Sequence, residues 1–151
     1  SDNTHGLEET MSTLVLDLKP NDMMIINGAP FRVRNGVQIE LLGHARFLFG
    51  KQIMPPGTNN TPARRIYYAV QTAYIGNDHE RPPARLAAQE FCDEFASHTT
   101  SQLAGEILRE VMRSLHEDRC YDALKLVQRI MRHEDAVMNV AGSKPQLAAA
   151  E

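Results

Sequence analysis

Five arginines stand in or beside the most regularly patterned segments of this sequence. Arg32 and Arg34 alternate in "FRVR", Arg46 precedes "FLF", and Arg64-Arg65 follow a Thr-Pro pair. Guanidinium groups hold phosphates through paired hydrogen bonds and stack on splayed bases. Single-stranded RNA is therefore a physically reasonable partner. The candidate RNA-binding residues are Asn27, Arg32, Arg34, Arg46, Arg64 and Arg65.

The same residues have a simpler interpretation. The arginines could form the solvent face of a sheet, and Tyr67, Tyr68 and Phe47 could belong to a core rather than to a stacking surface for bases. From the residue types alone, this second interpretation is the more economical one.

A second set of side chains could bind a protein. Two amphipathic segments, 100–118 and 120–138, are joined by almost no loop and should pack as an antiparallel helical hairpin. Methionine adapts to varied partners, so these helices could line a groove for a partner's helix. The candidates are Met112, Tyr121, Met131 and Met138. Packing of the same residues in a core is the alternative.

Motifs of catalysis are missing from the sequence. It contains no Gly-rich phosphate loop, no Gly-x-Ser-x-Gly and no His-Glu-x-x-His. His116 and Cys120 stand four residues apart, with Cys92 and His98 elsewhere, but none shows the close paired spacing of a structural zinc site. We therefore expect a protein that is not an enzyme and that carries no cofactor or metal.

Charge is distributed unevenly along the 151 residues, although the net charge is only −3. Residues 11–76 carry seven Lys or Arg against three Asp or Glu, whereas 77–151 carry nine against thirteen. Such a split indicates different roles for two surfaces. Two cysteines inside helical patterns and no long apolar run indicate a reduced, cytoplasmic protein without a membrane span.

The elements that position these residues change in kind along the chain. Alternating patterns predict about four to six short strands in an antiparallel meander over 11–54. Asn27-Gly28 suits a turn or bulge, and Asn35-Gly36 is the stronger hairpin signal. Pro30 indicates that the intervening strand starts at Phe31.

Helical periodicity follows the strands. A bundle of about four helices is predicted over 61–140, with Thr61 as N-cap and Pro62 at the first helical position. Strands first and helices second predict an α+β fold, packed as one domain. We expect a disordered leader or expression remnant over 1–10 and a flexible tail over 141–151.

Several segments together resemble one known family. They include Leu16-x-Leu18-x-Pro20-Asn21, then "INGA" from Ile26 followed by Arg32-Val33, and the double Leu41-Leu42. Further matches are Phe47-Leu48, Thr61-Pro62, Tyr67-Tyr68 and Gln71. In order and spacing, residues 12 to 138 resemble the FlbT family of flagellar biosynthesis regulators from α-proteobacteria.

This resemblance implies post-transcriptional control of flagellum biogenesis. Family members associate with the 5′ untranslated region of flagellin mRNA and promote its degradation or repress its translation, while some relatives act as activators. The family supplies no catalytic residues to carry over. The alternative is a protein-interaction module that binds flagellin or a flagellar secretion chaperone and affects mRNA only indirectly. An exposed edge at strand 13–18 could also pair across a two-fold axis in a homodimer.

Overall fold

A computed structural model describes the backbone of residues 14–150 and the side chains of 14–139. Five strands come first: β1 (Leu14–Leu18), β2 (Met23–Ile26), β3 (Ala29–Arg32), β4 (Val37–Leu41) and β5 (Phe47–Phe49). A 3₁₀ turn (Gly50–Gln52) precedes four helices: α1 (Pro62–Ile75), α2 (Arg81–His98), α3 (Gln102–His116) and α4 (Cys120–Ala150). All strand pairs are antiparallel, so the predicted α+β class is confirmed.

The described chain divides into two compact units. The strand unit reaches Ile53 and includes Ile75–Asn77, while the helical unit holds Met54–Tyr74 and everything from Asp78 onward. That these units pack as one domain stays a prediction. The predicted leader, 1–10, lies outside the described residues.

The first Asn-Gly pair, not the second, forms the hairpin. Asn27 and Gly28 have φ of 48° and 87°, and they join β2 to β3 with Ile26 opposite Ala29. Positive φ at both central residues is the signature of a type I′ turn. Gly36 lacks the positive φ that such a turn needs. The predicted hairpin at Asn35-Gly36 is therefore wrong.

The strands do not form the predicted meander either. β1 pairs with β4, placing Leu14 opposite Leu41 and Leu18 opposite Val37. A separate three-stranded sheet has the order β3-β2-β5. The strand that was predicted to start at Phe31 starts earlier. Pro30 lies inside β3, where it is opposite Ile25. An edge strand accommodates a proline because its outer side requires no N–H donor.

A small apolar core explains this pairing. Leu16, Leu18 and Met24 are buried together, and Val33 and Ile39 pack against them. Leu16 lies directly opposite Ile39 in the β1–β4 ladder. Pairing β4 with β1 therefore brings apolar side chains onto the same core as Met24, a contact that no local turn signal encodes.

The helical unit is built on apolar stripes that the periodicity predicts well. Its buried residues include Ile66, Val70, Ile107, Val111, Leu115, Leu124, Val127 and Ile130. Leu103 and Leu86 also stand at helical spacing from buried residues, but their side chains are 52% and 61% exposed. Asp118, at φ 58°, turns the chain from α3 into α4, which pack against each other.

The last helix is longer than its apolar pattern. Its backbone continues to Ala150, where the sequence predicted a flexible tail over 141–151. The local sequence does not account for this continuation, because it includes Gly142 and Pro145, the two residue types least favourable inside a helix. The side chains of the predicted tail lie outside the described residues. None of the described helices combines the length and apolar character that a bilayer crossing demands.

Candidate functional surfaces

Arg32 and Arg34 are exposed on either side of Val33. The Val33 side chain packs onto the strand core, and its backbone bonds to Asp22 and Asn21 at 3.0 and 2.8 Å. Arg32 ends β3 and Arg34 lies in the bend that follows, and both side chains are exposed whereas Val33 is half-buried. Within residues 14–139, neither guanidinium has a carboxylate partner. Both charges are therefore available to an anion.

Lys19 adds a third cation beside these arginines. The turn that follows β1 lies against the 33–36 segment, since the Asn21 N–H donates to the Val33 carbonyl. Lys19 is exposed on this turn, and its own N–H donates to Asp22 Oδ2 at 2.9 Å. Sequence analysis missed Lys19 because the contact joins segments that are distant in sequence. Lys19, Arg32 and Arg34 together are here named the β3 cationic surface.

Arg46 lies apart from that surface. The Asn27 N–H donates to the Arg46 carbonyl at 2.8 Å, and the Arg46 N–H donates to Asn27 Oδ1 at 3.0 Å. Arg32, by contrast, pairs with Met23 at the other end of β2. At about 3.3 Å per residue, the two arginines are separated by roughly 13 Å along β2 and lie on opposite edges of its sheet. Contact of Asn27 and Arg46 with RNA stays a prediction.

Arg64 and Arg65 belong to the first turn of α1. Thr61 Oγ1 accepts from the Arg64 N–H at 3.2 Å, which confirms Thr61 as the capping residue. The Arg64 side chain lies 3.9 Å from Asp135 Oδ1 and is half-exposed, so that ion pair is weak. Arg65 is exposed. Both arginines belong to the helical unit, whereas Arg32 and Arg34 belong to the strand unit.

The aromatic residues near these arginines are largely core. Tyr67 is buried, and burial raises its pKa despite the opposing effect of a hydrogen bond with the Gln128 side chain. Phe47 stacks on Phe49 with ring centroids 6.4 Å apart, and both pack onto the strand core. Tyr68 is half-buried. Tyr67 is therefore no stacking platform for a base.

A cationic stripe on α4 escaped the sequence analysis. Lys125, Arg129 and Arg132 are exposed and follow one another at steps of four and three, so they share one helix face. Lys125 Nζ lies 5.2 Å from the centroid of the Tyr121 ring. Within the described chain, Arg129 and Arg132 have no ion-pair partner. The helical spacing was the signal that could have revealed this α4 stripe.

A groove of about 580 Å³ opens in the helical unit, here named the helical groove. Its walls come from the end of α2, the turn after it, the first turn of α1 and residues 133–138 of α4. Prominent among its lining residues are Phe91, Phe95, His98, Glu134, Val137 and Met138.

The four methionine and tyrosine candidates do not converge on this groove. Met138 lines it, whereas Met112, Tyr121 and Met131 do not. Met112 and Met131 are half-buried, and Tyr121 packs against Tyr74 with ring centroids 5.5 Å apart. Only Met138 among these candidates therefore contributes to the groove.

Glu134 is the unusual polar residue of the groove. Its side chain is buried, and Oε2 accepts from the Ala63 N–H at 3.0 Å. Oε1 is buried without a hydrogen-bond partner in the described chain. A carboxylate at the start of α1 also faces the positive end of the helix dipole. One oxygen thus stabilises the fold and the other is left unsatisfied.

The two cysteines are the remaining candidate reactive groups. Cys92 and Cys120 are both buried and form no disulfide, and burial raises the pKa of Cys92 to about 12. A thiol with that pKa is neutral and unreactive at ordinary pH. Within the described residues, no three His, Cys, Asp or Glu side chains are grouped so that they could hold a metal ion.

Comparison with known proteins places the chain in a family. The family profile described as "Flagellar protein FlbT" matches residues 14–138. A probable flagellum biosynthesis repressor protein FlbT from Mesorhizobium japonicum is 32% identical over 78% of this chain and 79% of its own length. A protein of the same name from Rhizobium leguminosarum bv. trifolii is 31% identical over 85% of this chain and 85% of its own length. Another, from Brucella ovis, is 28% identical over 86% of this chain and 83% of its own length. No solved structure matches significantly. The chain thus belongs to the FlbT family of flagellar proteins.

Proposed function

We propose that this protein is a non-enzymatic regulator of flagellum biogenesis that binds the 5′ untranslated leader of flagellin mRNA and thereby promotes its decay or represses its translation. The name shared by its relatives, flagellum biosynthesis repressor, supports the regulatory role. Direct contact with RNA is the further step of this proposal.

The β3 cationic surface is the observation that carries the RNA contact. Arg32 and Arg34 are exposed, neighbouring and without carboxylate partners in residues 14–139, and Lys19 lies on the adjoining turn. Unpaired guanidinium groups hold phosphates without first breaking an internal ion pair. Arg64 and Arg65 on α1, and the α4 stripe, are additional candidate contacts in the helical unit.

Binding of this kind is largely electrostatic. Each phosphate contact on a single strand contributes about −0.7 to the slope of log affinity against log salt. Replacing Arg32 and Arg34 by alanine together should weaken binding of leader RNA by roughly tenfold or more and flatten that slope. Titration of labelled leader RNA at several salt concentrations, with nuclease-treated protein, measures both quantities.

A matched control is available on α3. Arg109 and Arg113 are exposed one helical turn apart, so their double alanine variant removes the same charge from another surface. RNA binding should then stay close to that of the unmodified protein. Equal affinity of the Arg32/Arg34 variant and the unmodified protein would exclude the β3 cationic surface as the RNA contact.

A protein-interaction function is the second candidate, and the helical groove favours it. In this case the chain binds flagellin or a flagellar secretion chaperone, and mRNA levels change only indirectly. Pull-down from lysate with and without RNase separates the two candidates. Flagellin retained after RNase treatment supports a direct protein contact, whereas loss of the signal supports a contact through RNA.

A further inference from the structure

The helical groove combines an apolar wall with an unsatisfied buried acceptor. Phe91, Phe95, Val137 and Met138 supply the apolar surface. Glu134 is 9% exposed, and its Oε1 has no donor within the described chain. A buried acceptor without a donor is costly, so an occupant that supplies one gains more than apolar contact alone. The groove is thus suited to an occupant that carries both an apolar group and a hydrogen-bond donor.

Charge in the groove favours a cationic donor. The lining includes the carboxylates of Glu94 and Glu134 and the single guanidinium of Arg65, together with His98 and His133. The two carboxylates outnumber the one guanidinium. Hydrogen bonds between an ionised donor and a carboxylate are about twice as strong as neutral ones. A lysine or arginine therefore complements this lining better than a hydroxyl or an acid.

The open mouth of the groove indicates a peptide rather than an enclosed metabolite. Val137 and Met138 stand on consecutive positions of α4 and are 55% and 53% exposed. Small-molecule sites usually bury most of their ligand. A groove with an exposed apolar rim instead fits the apolar face of an amphipathic helix, which covers such a rim as it docks.

We infer that the helical groove binds a helical segment of a partner protein, whose apolar face covers Phe91, Phe95, Val137 and Met138 and whose lysine or arginine donates to Glu134. This site shares no residue with the β3 cationic surface. It requires no RNA, so it stands whether or not the leader-binding proposal holds.

Two synthetic amphipathic helices test the charge requirement directly. One contains only leucine and lysine, and its counterpart has glutamate at each lysine position. Fluorescence anisotropy with the full chain should show binding of the lysine peptide and at least tenfold weaker binding of the glutamate peptide. Equal binding of both peptides would refute recognition of a cation by Glu134.

Single substitutions test whether the lysine peptide binds in the helical groove. Glu134→Gln keeps an acceptor for the Ala63 N–H but removes the charge, and Met138→Asp places a charge on the exposed rim. Each substitution should lower the affinity for the lysine peptide by tenfold or more. Glu106→Gln and Leu86→Asp make the same changes on exposed positions outside the groove and should leave binding unchanged. Unchanged binding in both groove variants would overturn the inference.

Two further measurements separate this site from others. Affinity of Glu134→Gln and Met138→Asp for leader RNA should equal that of the unmodified protein, because neither residue belongs to the β3 cationic surface. Phenethylamine serves as the small-molecule probe. If nuclear magnetic resonance shows that it occupies the groove while the lysine peptide does not bind, the site takes a free amine and the peptide inference is wrong.

Discussion

Glu134 Oε2 accepts a hydrogen bond of 3.0 Å from the backbone N–H of Ala63, a residue 71 positions earlier in the chain. Pro62 occupies the first helical position and has no N–H, so Ala63 provides the first donor of α1 that needs a partner. A side chain of α4 thus caps the start of α1. The contact ties together two helices that are remote in sequence.

Loss of this cap should destabilise the helical unit. Glu134→Ala leaves the Ala63 N–H without its acceptor, and we expect the free energy of unfolding to fall by about 1–3 kcal/mol. Glu134→Gln retains a carbonyl oxygen at the same position and should lose less. Urea unfolding followed by circular dichroism measures both variants. Glu106→Ala, on an exposed position, is the control, and an equal loss in that variant would argue against a specific cap.

Gly28 should be far less tolerant of a side chain than Gly43. Its φ is 87°, and a Cβ built there would lie 3.2 Å from the Asn77 nitrogen. We expect Gly28→Ala to cost about 1–3 kcal/mol through backbone strain and crowding. At Gly43 a Cβ meets nothing within 4 Å, so Gly43→Ala should change stability by no more than about 1 kcal/mol. Thermal unfolding of the two variants compares them, and similar melting temperatures would contradict the assignment of the hairpin turn.

The two Asn-Gly asparagines should differ in the same way. Asn27 adopts a φ of 48°, and its Oδ1 accepts from the Arg46 N–H, so Asn27→Ala should destabilise the strand unit by about 1 kcal/mol or more. Asn35 is exposed and has no positive φ, so Asn35→Ala should stay within about 0.5 kcal/mol. Chemical unfolding of both variants gives the comparison. A larger loss at Asn35 would mean that the second pair forms the structural turn.

Cys92 should resist thiol reagents in the folded protein. Burial raises its pKa to about 12 from the ordinary 9.0, so the thiolate is scarce at pH 8. Labelling with DTNB in a Cys120→Ser background should be slow in buffer and fast in urea. Rapid labelling in buffer would show that Cys92 is exposed.

The same pKa shift predicts the effect of alkaline pH. The neutral thiol is favoured in the folded state, so its contribution to stability is complete below pH 9 and declines as the pH rises toward 12. Cys92→Ala should lack this component of the decline. Unfolding titrations at several alkaline pH values, with the unmodified protein as reference, measure the difference. An identical decline in both proteins would contradict a buried, neutral Cys92.

The sequence by itself determined the local order of this protein: strands before helices, Thr61-Pro62 at the start of α1, and the apolar stripes of α3 and α4. Such features depend on residues close together in the chain, whose spacing and backbone preferences can be read from the sequence. The Asn-Gly signal was also local, but it occurred at two places, and it favoured Asn35-Gly36, which does not form the hairpin. Choosing between Asn27-Gly28 and Asn35-Gly36 required the pairing of β4 with β1.

Only the tertiary structure decided which charges lie together. Arg32 and Arg34 are neighbours in sequence and in space, but Lys19 joins them through a turn, and Arg46 is held at the far corner of the sheet by its backbone bonds to Asn27. Glu134 likewise caps α1 only because its side chain reaches the Ala63 N–H. The helical pattern of α4 does not indicate that contact. Backbone hydrogen bonds and shared apolar cores set these distances across many residues, so a one-dimensional pattern cannot specify them.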